Sequence, residues 1–302
     1  MDAYFRKLGP FGQRMMRQSS TVQVCLDFGV NDDELARRFL VSQILGPVAA
    51  AIFAYSPFVD GRHDSQVGCR STFWRQLDDK RTGFPALDKI FSNPCRSTCV
   101  RAYTDWILAA PVLYVEALNY SIPTSTITFR EWISRGIQGV YPNEEDLRTH
   151  LSLLFPEVRP KGFLELRSPD CQAKVWQGVP AAFLIGILYN NEKLDQVLEL
   201  LLAEGGSLRK WWQQAAFGLK AKGLRQVAQK VALIAFDGFK QLPVCYRGSE
   251  LDIVFQAFIE QFVQRGRVPG DDLVDAVRGA DRQAPTRQLL CDLEEQWQRS
   301  VY

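Results

Sequence analysis

The sequence predicts a mixed α+β fold, with short extended segments in the first 170 residues and an almost wholly helical block from Val175 onward. Three observations predict it. "SSTVQVCLDFG" (19–29) and "GFLELRSPD" (162–170) alternate and end on Gly, Pro or Asp, the pattern of half-buried strands. Beyond Val175, apolar residues recur at helical spacing, with breaks near Gly205-Gly206, Gly218, Pro243, Pro269 and Pro285. Strands followed by a run of helices is the α+β order, not the alternation of a parallel α/β sheet. The 302 residues are read as one domain, 1–302, with a sheet-bearing part (1–170) and a helical part (171–302).

The elements follow in order. "MDAYFRKLG" predicts a short amphipathic helix ended by Gly9-Pro10. In the strand at 19–29, Gln23, Cys25 and Asp27 share one face, an unusual display for a buried-looking strand. "NDDELARRFLVSQILGPVAAAIFAYSP" opens on Asn31, with Glu34 at capping-box spacing. It runs helically to Tyr55, with Pro47 implying a kink and Pro57 a stop. Residues 60–94 are polar, turn-rich and without a period. A loop of that length is functional or disordered, and Phe73 and Trp74 favour function. "CRSTCVRAYTDWILAAP" predicts a helix, and "VLYVEALN" (112–119) a strand. Thr128 and Glu131 form a second capping box, and "NEEDLRTHLSLLFP" a helix capped by Asn143 and ended before Pro156.

Composition bounds the function. Hydrophobic content of 46% and charged content of 23% are those of an ordinary globular protein. A net charge of +2 gives no reason to expect a nucleic-acid partner. The longest apolar run, "VPAAFLIGILY" (179–189), falls short of the ~20 residues that span a bilayer and reads as a buried helix, so no membrane partner is expected. The polar, amphipathic N-terminus does not read as a signal peptide. Seven cysteines at scattered spacings suit a reducing compartment, so a cytoplasmic location is expected.

The residues alone offer little catalytic chemistry. No serine-centred triad or glycine-rich phosphate loop can be assembled. Cys95 and Cys99 stand four apart on a helix, without the second Cys/His pair that zinc requires. His150 lies among Leu147, Leu151 and Leu154 on an amphipathic helix and reads as structural. Glu165 and Arg167 share one face of their strand. By periodicity they are a solvent-facing charged pair, and Arg70 and Arg81 are solvated loop charges.

Five motifs change that reading: "MMRQSSTVQVCLDFG", "RSTFWRQLDDKRTG", "TFREW", "LFPEVRPKGFLELRSPD" and "VPAAFLIGILYNN". In this order and spacing the chain resembles the plant-type and proteobacterial glutamate–cysteine ligases, matching their C-terminal two thirds. The resemblance implies a partial antiparallel funnel-type sheet of a glutamine-synthetase-like core, backed by helices. It implies an ATP- and Mg2+-dependent reaction that joins glutamate to a small amine, cysteine by default, through a γ-glutamyl phosphate. It assigns Glu165 to metal, Arg167 to phosphate chemistry and Gln23 to the nucleotide. Arg70 is assigned to a substrate carboxylate, with Trp74 as the wall beside it, and Arg81 and Ser20 to the substrate pocket. Cys25 stands where the family carries asparagine in "VQVNLDF", and the segment around Lys220 and Lys222 is shorter than the family's. The metal-binding part that precedes the matched region in the family has no counterpart here, so before Gln23 the only acidic residue is Asp2. The resemblance therefore carries two alternatives: a ligase completed by a second polypeptide, or a catalytically inactive binding subunit. An open sheet edge beside 19–28 leads to an expected homo-oligomer or complementary chain.

Overall fold

A computed structural model describes every residue except 1, 124, 204–207, 249, 281 and 283. Two short helices, α1 (Asp2–Leu8) and α2 (Phe11–Gln18), lead into β1 (Val24–Leu26) and the long α3 (Asp32–Ile52). A small hairpin, β2 (Phe58–Val59) and β3 (Arg62–His63), precedes α4 (Cys69–Arg75), α5 (Asp79–Thr82), α6 (Leu87–Ser92) and α7 (Arg96–Ala109). After α8 (Phe129–Arg135) and α9 (Glu144–Ser152), the strands β4 (Val158–Pro160) and β5 (Leu164–Leu166) return to β1. The helical block holds α10 (Val179–Leu188), α11 (Asn191–Ala203), α12 (Leu208–Ala215), α13 (Lys222–Gln241), α14 (Val244–Arg247), α15 (Leu251–Phe258), α16 (Pro269–Gly279) and α17 (Arg287–Val301). The fold is therefore mixed helix and small antiparallel sheet.

The larger sheet has the order β1-β5-β4, antiparallel throughout. Its register sets Cys25 opposite Glu165 on one side and Arg159 opposite Glu165 on the other. Because alternate residues face alternate sides, Val24, Leu26, Val158, Leu164 and Leu166 turn to the core, and Cys25, Glu165 and Arg159 to the other face. One hydrophobic cluster runs from β1 through α3 to Leu293 and Trp297 on α17. At its centre α10 and α13 cross with almost nothing between them. A Cβ on Gly186 would strike the carbonyl of Ala235, and one on Gly238 the carbonyl of Gly186.

Several expectations change. The strand at 19–29 shrinks to three residues, with Thr21 making only an isolated bridge to Asp170. The strand expected at 112–119 is absent. A 3-10 turn, Glu116–Leu118, occupies it, flanked by isolated bridges from Pro111 to Thr128 and Val115 to Ser121. Residues 60–94 are not a long loop but a hairpin and three helices of at most seven residues. β4 was not anticipated, and Pro160 is tolerated there because β4 is an edge strand. Asn31 does cap α3 by accepting from the Glu34 N–H, but the Glu34 carboxylate turns back to the Val30 N–H and not to Asn31. α3 also exceeds the apolar length read from sequence. It is long and apolar enough to cross a membrane, and 89% of its apolar window is buried inside the fold. The helical block divides into more segments than its Gly and Pro positions imply, and Pro269 opens α16 at a position where its missing N–H costs nothing. The break expected at Gly205-Gly206 lies outside the described residues.

Candidate functional site

The polar face of the sheet is built by two short alternations, "EVRP" and "LELR", laid side by side. Glu165 is 5% exposed and sits among three cations. Lys161 Nζ and Arg159 Nη1 lie 3.4 and 3.6 Å from its Oε2, and Arg167 Nε lies 3.7 Å from its Oε1. The Cys25 thiol borders this group from β1. Burial first, and the Glu165 charge second, push it above the ordinary thiol range. Gln23 is exposed and immediately precedes β1.

Arg167 and Arg70 meet at Trp74, each guanidinium 5.0 Å from the indole centroid. The Trp74 N–H donates to the Phe155 carbonyl at 2.9 Å, which fixes the ring. Arg70 is 2% exposed. It donates to the carbonyls of Arg167 (2.6 Å) and Ser168 (3.1 Å) and stands 3.7 Å from Asp170. Asp170 in turn accepts from the Tyr55 N–H and the Ser56 hydroxyl, and its burial raises the carboxyl above its usual range. Burial, with Arg159 next to it, pulls the Arg167 guanidinium down to about 10, so it still carries its charge at neutral pH.

The structure thus brings Glu165, Arg167, Arg70 and Trp74 together, with Gln23 just before the adjoining strand. Ser20 is exposed, and its carbonyl accepts from the Cys171 N–H beside Asp170. Arg81 lies elsewhere. It is 1% exposed, donates to the carbonyls of Leu153 and Pro111, pairs with Asp78 and faces the Tyr4 ring. None of those partners is on the sheet. Sequence reasoning missed Arg159, Lys161 and Glu157. Glu157 is 2% exposed, accepts from the Ser168 hydroxyl and lies 3.6 Å from Arg75. The alternation Glu157-Val158-Arg159 was the available signal.

Chemically, this is an anion-accepting face. The side-chain Nε groups of Arg70, Arg159 and Arg167 have no hydrogen-bond partner among the described residues. Glu165 Oε2 is likewise without a hydrogen-bond partner, so what the face offers an oxyanion is the positive charge of these guanidinium groups and not their buried Nε donors. A divalent cation does not fit the same residues. Glu165 is one carboxylate among three cations, and no group of three His, Cys, Asp or Glu capable of holding a metal occurs among the described residues.

The model of glutamate-cysteine ligase family 2 matches residues 1–298. The chain belongs to that family. A chloroplastic glutamate–cysteine ligase of Medicago truncatula is 33% identical over 292 residues, covering 92% of this chain and 54% of the relative. The Arabidopsis thaliana enzyme is 32% identical over 292 residues, with 92% and 53% covered, and glutamate–cysteine ligase B of japonica rice is 28% identical over 312 residues, with 100% and 57% covered. This family member spans about half the length of the curated relatives it matches. The expected cytoplasmic location is corrected by the same comparison, because the named relatives are chloroplastic proteins.

Proposed function

We propose that this chain forms the anion-binding part of a glutamate–cysteine-type ligase with a glutamine-synthetase-like core. In that reaction the γ-carboxylate of glutamate accepts the terminal phosphoryl group of ATP, and an amine, cysteine by the relatives' names, displaces phosphate to leave a γ-glutamyl amide. The observation that carries the reading is the crowding of cations around Glu165 and Trp74, with Arg70 and Arg167 buried and Arg159 and Lys161 more open. Arg167 holds positive charge where phosphoryl oxygens gather charge, and charge neutralisation with positioning is most of phosphoryl-transfer catalysis. Arg70 and Trp74 form the wall against which the substrate carboxylate sits, and Gln23 contributes a neutral polar contact to the nucleotide. Ser20 bounds the substrate pocket from outside the sheet. Mg2+ would neutralise the nucleotide phosphates, and Glu165 among its cations is a poor holder for it.

A second reading is a catalytically inactive binding subunit. The Arg70 donors already spent on two backbone carbonyls favour it. The test is ATP-dependent phosphate release with glutamate and cysteine, together with detection of γ-glutamylcysteine. It is run on the chain alone and on the chain mixed with a polypeptide covering the relatives' remaining length. Turnover only in the mixture supports the ligase. Turnover by the chain alone overturns the need for the missing part, and silence in both selects the binding subunit.

A further inference from the structure

Between α4, α5, α7 and α12 lies a cleft of about 1040 Å3. None of Ser20, Gln23, Arg70, Trp74, Arg81, Glu165 and Arg167 lines it. Its walls carry the aromatic rings of Phe84, Trp106 and Trp212, and among the described residues its cations are Arg75, Lys80 and Arg209 and its carboxylate Asp79. Arg75 lies flat on Trp212, its guanidinium carbon 3.8 Å from the ring centroid. Its Nε and Nη2 are buried without a hydrogen-bond partner among the described residues, and Nη2 faces the buried Glu157 carboxylate at 3.6 Å. Held between the indole and that carboxylate, the guanidinium sets a fixed positive charge in the wall of the cleft. Lys80 and Arg209 are exposed at the rim and add attractive field.

We infer that this cleft binds a small molecule in which a phosphate or carboxylate is attached to a planar ring, at a site separate from the sheet face. The positive charges of Arg75, Lys80 and Arg209 draw in the oxyanion, and Phe84 and Trp106 cover the ring. The cleft's size lies at the upper end of ordinary ligand pockets, enough for a nucleotide-sized occupant.

The test is calorimetric titration of the full chain with adenosine 5′-monophosphate and benzoate, which carry both halves, and with inorganic phosphate and adenosine, which carry one each. At least one ring-bearing anion should bind saturably, on the order of tenfold tighter than either half. Arg75→Gln should weaken it by at least as much. Because that change leaves buried Glu157 without its cation, the exposed pair Lys80→Glu with Arg209→Glu provides an independent variant, expected to weaken binding about tenfold. Arg167→Gln should leave the affinity unchanged, which separates this cleft from nucleotide binding on the sheet face. No saturable binding of either ring-bearing anion, equal affinity for inorganic phosphate, or an unchanged affinity in the rim variant would each overturn the inference. The readout is heat of binding and stands whether or not the ligase reading does.

Discussion

At the scale of single residues, the sheet face concentrates positive charge where water is scarce. Arg167 shares Trp74 with Arg70 and touches Glu165, so its loss removes one cation from a crowded set and leaves Glu165 with Arg159 and Lys161. In the completed ligase, Arg167→Gln is expected to lower kcat/KM about a hundredfold, the scale of losing one electrostatic contact to a developing charge, with little change in KM for the amine. Native turnover in that variant would remove Arg167 from the phosphoryl chemistry. His150 gives a second prediction. It is buried against Phe129, its ring centroid 4.5 Å away, and its Nε2 pairs with the Ile107 carbonyl at 3.0 Å. Burial holds its pKa down at about 4, below the 6.5 of the free side chain. The folded state therefore resists protonation, so this stability is fully present above pH 6.5 and drains away as pH falls towards 4. Denaturant unfolding should show a loss of about 2 kcal/mol from this group between pH 7 and pH 5. His150→Gln should remove that part of the pH dependence, and an unchanged slope would reject the assignment.

At the scale of elements, the most sensitive joint is the crossing of α10 and α13. Gly238→Ala places a methyl group against the Gly186 carbonyl, and the helices must separate. A loss of about 1–3 kcal/mol is expected in denaturant unfolding, while Gly223→Ala on the same helix, where a Cβ meets nothing, should be neutral or stabilising. The capping box of α8 is a milder case. Thr128 accepts from the Glu131 N–H, and Glu131 accepts from the Thr128 N–H, so Thr128→Ala should cost about 1 kcal/mol. These caps were legible in sequence because they are local, as was Asn143 before α9. The helices α4 to α6 were not legible. They are too short to display a period, and what fixes them comes from far along the chain: Trp74 to Phe155, and Arg81 to Leu153 and Pro111. The site divides the same way. Alternation put Glu165 and Arg167 on one face but read that face as solvent, and only the family resemblance raised them to site residues; Arg159 beside Glu165 comes from β4, a strand whose proline hid it.

At the scale of the whole molecule, β1 has β5 on one side and no neighbouring strand on the other among the described residues. Open strand edges pair with other chains. Self-association, or capture of a complementary polypeptide along β1, is the expected result of sedimentation across a wide concentration range, and a strict monomer that turns over substrate unaided would count against it. The core itself is closed from the far end of the sequence. Trp297 packs against Tyr55, Trp176 and Phe262, and its N–H donates to Asp272 at 3.1 Å. During synthesis, then, the ribosome releases the strands and the long buried helix well before the residue that seals them. Until position 297 has cleared the exit tunnel, the nascent chain carries an open apolar seam, and a chaperone has both the time and the surface to hold it.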